Sequence, residues 1–411
     1  MRCLFLLSPS YFHCPDRQRL ISESDATHLP HPPPPLIKRP SPTIHFTSKN
    51  TPASLMASIT SSLFLFSSTL LFLLISFPCS DAQTAPPLVK GLSYTFYKST
   101  CPNLESIIRT QLQTAFKSNI GLAAALLRVH FHDCFVQGCD GSVLLDGSAS
   151  GPSEKSAPPN LTLRKAAFDA INSLRNAIEK ACGRVVSCAD IAALAARDSV
   201  ALSGGPNYKV PLGRRDGATF ATVNDTLKFL PSPRSNVSVL LSALALNNLD
   251  VNDLVALSGG HTIGIGHCTS FENRLFPGRD PTMDQTFFKN LRLTCPVLNT
   301  TNTTNLDLRT PNIFDNKYYV DLMNRQGLFT SDQDMYIDSR TKPIVLGFAV
   351  NQSLFYEKFA FSMVKMGMLK VLTGTSGQIR ANCSAKNPGT VGDAWSVVDL
   401  DVGSGGGAAA Y

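Results

Sequence analysis

Arg128-Val-His-Phe-His-Asp-Cys-Phe-Val-Gln-Gly-Cys-Asp-Gly-Ser142 is the run of sequence in which most chemistry is concentrated, and it follows directly on Leu122-Ala-Ala-Ala-Leu-Leu127. The Ala/Leu lead-in favours helix. On a helix Arg128 and His132 lie four apart and share a face, so a fixed cation and a titratable imidazole can converge on one small ligand. An isolated Arg/His pair is ordinarily a surface contact of little energetic consequence. Here both emerge from an apolar helix, which demands a cavity or a partner. His130 and His132 could instead form an HxH pair for zinc or copper on a strand, where alternate residues face one way. On a helix, residues two apart diverge, and the HxH reading weakens. Downstream, Asp133, Asp140 and Ser142 supply oxygen atoms around a turn at Gly138, as calcium would require. Their spacing does not match an EF-hand, and two loop aspartates are more often simply solvated.

A second centre is Leu257-Ser-Gly-Gly-His-Thr-Ile-Gly-Ile-Gly-His-Cys268. Glycines on both sides of His261 would let a flat group approach closely. They are equally consistent with an ordinary helix terminus. Outward from these centres the pattern is helical. Phe168, Ile171, Leu174 and Ile178 line one face of Arg164–Cys182, and similar periodicity recurs at Leu122–Cys134, Cys188–Leu202, Val237–Leu249, Val251–Leu257, Asn316–Leu328 and Leu354–Leu369. Strand alternation is scarce, and GGP at 204–206 and PSPR at 231–234 break the helices.

The 411 residues, 43% hydrophobic and 16% charged, suffice for a large core with two lobes. The net charge is +7, and setting aside the six Lys/Arg and four Asp/Glu of residues 1–82 leaves +5. With no Lys/Arg run or aromatic-basic stripe, nucleic acid is not an expected partner. A weak attraction to acidic polysaccharide fits the mild basicity. Cys3, Cys14 and Cys79 lie near the front, and eight more cysteines lie between Cys101 and Cys383 without a CxxC pair. An even, dispersed set reads as disulfides formed in an oxidising compartment. Spacing alone leaves about 105 pairings open. Sequons at Asn160, Asn224, Asn236, Asn299, Asn302, Asn351 and Asn382 agree with export.

Residues 56–82 read as a secretory signal: an apolar stretch from about Leu63 to Phe77, then Ser80-x-Ala82, which would leave Gln83 first. A membrane anchor is the rival reading, but the stretch is shorter than the ~20 apolar residues a span needs. Residues 1–55 form a Pro/His/Ser-rich extension ahead of this signal, and Met56 offers an internal start that would leave the extension untranslated. Residues 384–411 end in DVGSGGGAAAY and read as a flexible tail beyond a domain spanning 83–383.

Three tracts together resemble a plant secretory (class III) haem peroxidase over roughly Gln83 to Cys383. Arg128, Phe131, His132, Asp133, Cys134, Phe135, Val136, Gly138, Cys139, Asp140 and Ser142 meet the family's R-x-x-F-H-D-C-F-V-x-G-C-D-x-S pattern. Ser258 to Gly264 meet S-G-G-H-T-x-G, and Asp307-Leu-Arg-Thr-Pro-Asn-Ile-Phe-Asp-Asn316 matches a third tract.

The resemblance implies an all-α, two-lobed fold with one haem b between a distal and a proximal helix, and turnover of hydrogen peroxide with small phenolic donors. It implies His261 as the axial ligand, with Asp332 accepting its other ring N–H. His132 is the implied general base and then acid, with Arg128 stabilising developing charge and Phe131 beside them. Asn160 and then Glu154 hold the His132 ring through a hydrogen-bond chain, which would leave the Asn160 sequon buried and unglycosylated. Two calcium ions are implied: a distal one at Asp133, Val136, Gly138, Asp140, Ser142 and Glu154, and a proximal one at Thr262, Asp307, Thr310, Ile313 and Asp315. Pro231 matches the residue near the donor site. The implied disulfides are Cys101–Cys182, Cys134–Cys139, Cys188–Cys383 and Cys268–Cys295.

The resemblance further implies a secreted monomer of the cell wall or vacuole, free of the membrane once the signal is removed. Its implied roles are peroxide removal, lignin and wall-phenolic oxidation and the oxidative stress response. Two departures stand out. The single tryptophan, Trp395, lies in the tail, so nothing matches the proximal tryptophan of intracellular peroxidases, and Tyr208 stands where many relatives have tryptophan. A different class stays open: a calcium-bound secreted glycoprotein of this fold that has lost turnover and serves in binding or wall structure. The filled catalytic positions argue against it.

Overall fold

The computed structural model describes residues 85–147 and 151–389. The N-terminal extension, the signal segment, Trp395 and most of the C-terminal tail lie outside the described residues. The described chain is helical, as expected. Its α-helices are α1 (Leu104–Ser118), α2 (Leu122–Phe135), α3 (Lys165–Cys182), α4 (Cys188–Leu202), α5 (Val223–Phe229), α6 (Val237–Ala245), α7 (Val251–Ser258), α8 (Gln285–Thr294), α9 (Lys317–Met323), α10 (Thr330–Ile337), α11 (Lys342–Val350) and α12 (Gln352–Met366). Strands β1 (Ile265–His267) and β2 (Thr303–Asn305) form a small antiparallel sheet with Ile265 opposite Asn305.

The centre of the fold is α4, buried from Cys188 to Val200. Its alanines allow close approach, and α1, α2 and α3 all pack on it. Ser187 caps its first turn by accepting from Asp190 N at 3.1 Å. Asp190 in turn takes Tyr97 Oη at 2.8 Å and Arg214 Nη1 at 2.8 Å, so a buried carboxylate and a buried guanidinium satisfy each other. In α3 the buried face is Ala167, Ile171, Leu174 and Ile178, with Phe168 at its edge. One large apolar cluster includes residues of both α2 and α7, while Phe271, Leu275, Met283, Phe287, Leu291 and Leu328 make a second, smaller one beside Cys268–Cys295.

The eight body cysteines form the four expected disulfides: Cys101–Cys182, Cys134–Cys139, Cys188–Cys383 and Cys268–Cys295. The second of these closes the turn after α2.

Several expected boundaries shift. The helix expected over Val237–Leu249 stops at Ala245, since Asn248 takes a positive φ of 54°. That expected over Asn316–Leu328 stops at Met323, with Arg325 at φ 61°. Helix α12 begins and ends earlier than Leu354–Leu369. Helices α1, α5, α8, α10 and α11 were not among the expected segments.

The start of the expected tail is attached to the body. Asp146 N donates to Ser384 O at 2.9 Å and Asn172 Nδ2 to Ser384 Oγ at 2.9 Å, so the ordered body continues past Cys383.

Candidate active site

Helix α2 carries Arg128 and His132 on one face, as the four-residue spacing requires. Arg128 Nε donates to His132 Nε2 at 3.1 Å. The guanidinium is held from behind by Thr162 O at 3.1 Å, Thr162 Oγ1 at 3.0 Å and Pro159 O at 3.0 Å. Sequence reasoning missed Thr162 and Pro159, because two of these three acceptors are main-chain carbonyls, which leave no signature in residue types. Burial pulls Arg128 down to about 10, still a cation at neutral pH.

His132 Nδ1 lies 2.6 Å from Asn160 Oδ1, and Asn160 Nδ2 donates to the Glu154 carbonyl at 2.7 Å. The amide is thereby oriented with its oxygen toward the ring, so His132 carries its proton on Nδ1 and presents the Nε2 lone pair to Arg128. Burial first, then the Arg128 charge, push His132 down to about 3, against a smaller upward pull from Asn160. It is a neutral base across the physiological range. Asn160 is 3% exposed, so its sequon is inaccessible in the folded chain. Phe131 lies edge-on to His132 with ring centroids 5.2 Å apart.

The link to Glu154 runs through its main chain and not its carboxylate. That carboxylate turns toward the loop after α2, where Ala221 N donates to Oε1 at 3.4 Å and Oε2 has no partner. Ser142 Oγ is also buried without a partner. Asp133 accepts from Gly141 N at 2.9 Å, and Asp140 from Ser142 N at 3.0 Å. Burial and the neighbouring Asp140 raise Asp133 well above the carboxylate range, and burial lifts Glu154 to about 7. Gly138, at φ 122°, makes the turn that brings these groups together. Three desolvated carboxylates with two orphaned oxygens fit a hard cation. His130, by contrast, contacts the Cys134 sulfur at 3.6 Å, and burial and Arg214 hold it neutral. It does not share a site with His132, as the helical spacing required.

Helix α7 ends at Ser258, and His261 sits in the 3₁₀ turn Gly259–Thr262. The segment is a helix terminus, and Gly260 abuts α2. A Cβ on Gly259 would meet Phe355 and Tyr319 at 2.4 Å, whereas one on Gly260 would lie 3.5 Å from Leu127 Cδ2, the residue preceding Arg128. His261 Nδ1 lies 2.8 Å from Asp332 Oδ1. Tyr318 Oη donates to the same oxygen at 2.9 Å, and Phe329 N to Oδ2 at 2.8 Å. With Nδ1 engaged, Nε2 is the ring atom left to bind a metal, as the axial ligand of a haem must. Tyr318 was not legible in the sequence; only its place two residues past the Asp307–Asn316 tract hinted at it.

Thr262 gathers the third tract. Its Oγ1 lies 3.0 Å from Asp307 Oδ2, 3.4 Å from Asp315 Oδ1 and 3.5 Å from Ile313 O, and Thr310 Oγ1 lies 3.0 Å from Asp315 Oδ1. Ile313 is exposed and offers its carbonyl alone. Among the described residues no three His, Cys, Asp or Glu side chains gather as a metal group by themselves. Either cation would therefore depend on hydroxyl and carbonyl oxygens as well. Pro231 is half-buried in the turn before α6, a turn tied to α10 by Ser331 N to Pro233 O at 3.0 Å and Val237 N to Asp334 Oδ2 at 2.7 Å.

Residues 108–351 match the sequence model of the family described as Peroxidase. The chain belongs to the peroxidase family. Over 314 residues it is 63% identical to cationic peroxidase SPC4 of Sorghum bicolor and 60% identical to peroxidase 12 of Arabidopsis thaliana, matches that cover 76% of this chain and 87% and 88% of those proteins. Peroxidase 54 of Arabidopsis thaliana is 46% identical over 305 residues, covering 72% of this chain and 84% of its own. The resemblance to plant secretory peroxidases is thus confirmed. The protein is a haem-dependent oxidoreductase that takes hydrogen peroxide as acceptor, and no helix of the described peroxidase is long and apolar enough to cross a membrane.

Proposed function

We propose that the two histidine centres divide the peroxidase reaction between them, His261 holding the haem and the Arg128/His132 pair working on peroxide. The observation that carries this reading is the pair of contacts on His132, Nδ1 at 2.6 Å from Asn160 Oδ1 and Nε2 at 3.1 Å from Arg128 Nε, which leaves Nε2 as the unprotonated nitrogen. Bound haem supplies the iron and conjugated ring through which electrons from the donor reach peroxide. His132 Nε2 accepts a proton from one peroxide oxygen and returns it to the other, which leaves as water as the O–O bond breaks, while two electrons from two donor molecules and two protons turn the first oxygen into the second water. Arg128 gives up its hydrogen bond to Nε2 as peroxide enters and turns the same N–H toward the oxygen that gains charge. Asp332 keeps His261 oriented and basic at Nε2.

The pH dependence tests this assignment. Because the reactive form is neutral His132, and its proton affinity is held down to about 3, the second-order rate with peroxide should stay flat from pH 8 to about 5 and fall only as pH approaches 3. Stopped-flow mixing across this range checks it. A midpoint near the ~6.5 of a solvated imidazole would remove His132 from the role.

Two calcium ions complete the proposal, one among Asp133, Asp140, Ser142, Glu154 and the carbonyls of Val136 and Gly138, the other among Thr262, Asp307, Thr310, Ile313 and Asp315. Thr262 directly follows His261, so chelation should lower the melting temperature and alter the haem absorption band together. Metal analysis should find two calcium ions per chain, and an unchanged haem spectrum in metal-free protein would separate Thr262 from His261. The donors are small phenols reaching the haem edge near Pro231, where donors yield single electrons. Four disulfides and exposed sequons such as Asn299 and Asn302 support a secreted, glycosylated monomer of wall or vacuole, with weak attraction to acidic polysaccharide.

A further inference from the structure

Asp332 is 1% exposed and receives three hydrogen bonds, two of them on the same oxygen. His261 Nδ1 and Tyr318 Oη both meet Oδ1, at 2.8 and 2.9 Å, while Phe329 N meets Oδ2. An acceptor that already holds one proton donor polarises a second one less, because its charge is shared between them. Tyr318 is 1% exposed, and burial with the Asp332 charge raises its phenol well above the ordinary value, so it remains a neutral donor. Its ring stands edge-on to His261, at 87° and 6.0 Å between centroids, which fixes both side chains around the shared oxygen. The adjacent Tyr319 is equally buried, but its hydroxyl donates to Val255 O at 2.8 Å and does not touch Asp332.

We propose that Tyr318 is a positioning residue that moderates the pull of Asp332 on His261, setting how strongly His261 Nε2 donates to the haem iron. A proximal carboxylate acting alone draws the Nδ1 proton toward itself and makes the imidazole more anionic, which favours the ferric over the ferrous state. Tyr318 limits that effect by taking part of the negative charge of Oδ1. The inference rests on the proposed ligation by His261, and it concerns the electronics of the metal, since Tyr318 need not touch peroxide or donor.

Tyr318→Phe removes the hydroxyl and little else, leaving Oδ1 to His261. In the haem-loaded variant the iron–imidazole stretching band of the ferrous enzyme should move to higher frequency. The ferric-to-ferrous equilibrium should shift toward ferric by about tenfold, the order of one charge-assisted hydrogen bond redistributed. Tyr319→Phe, which deletes an equally buried hydroxyl, should move neither reading. Replacing Tyr318 by 3-fluorotyrosine, a stronger donor that needs no cavity, should shift both the opposite way and keeps the test open if Tyr318→Phe folds poorly. A band unmoved in Tyr318→Phe, or moved equally in Tyr319→Phe, overturns the inference. If the ferrous wild-type enzyme shows no iron–imidazole band at all, the ligand assignment itself fails, an outcome distinct from the first.

Discussion

His261→Ala is expected to fold but to lose stably bound haem. Nδ1 of this ring is committed to Asp332, which sets the orientation of the ring and directs its other nitrogen outward. The two histidines of α2 are engaged elsewhere, His132 with Asn160 and His130 against the Cys134 sulfur. The fold should survive because Asp332 keeps two of its three donors, Tyr318 and Phe329 N, so the cost is about one charge-assisted hydrogen bond, roughly 1.5–3 kcal/mol. Gel filtration followed by the ratio of haem to protein absorption measures the outcome. Haem retained at one per chain with unchanged affinity would show that another group ligates the iron.

His132→Ala is expected to keep haem and lose peroxide reactivity by far more than the ~10²–10⁴ usual for one general acid–base function. The excess has a physical origin. One imidazole performs two proton transfers in sequence, and both are lost with it. The anchors of Arg128 at Thr162 and Pro159 remain, so charge stabilisation persists and some residual activity should too. The losses from His132 and Arg128 should therefore not add, since both act on the same oxygen pair.

Much of this is legible in the sequence. The Ala/Leu run ahead of Arg128 announced α2, and the four-residue step put Arg128 and His132 on one face. What spacing could not supply was the distance between segments. That Thr262 meets Asp307, Ile313 and Asp315 depends on how the turn after α7 docks against the 307–315 loop, 45 to 53 residues on. Asn160 was assigned by resemblance, but its grip on the Glu154 carbonyl is a main-chain contact that no residue type encodes. Tyr318 escaped notice for a similar reason. Its hydroxyl finds Asp332 only because α9 and α10 pack together, and α10 itself has no strong apolar periodicity to mark it. Helix ends were overrun at Asn248 and Arg325, both of left-handed backbone: asparagine adopts that conformation readily and was a stop signal the apolar periodicity masked, whereas arginine carries no such local preference.

The claim at the centre of this account is that His132, held neutral by burial and aimed by Asn160, is the group that moves the peroxide proton. Its most direct test is the single-turnover rate with hydrogen peroxide, followed at the haem band by stopped flow, for wild type and for His132→Ala shown to carry one haem per chain. The account predicts a fall well beyond ~10⁴ with the haem spectrum otherwise preserved. A variant reacting within tenfold of wild type would contradict it.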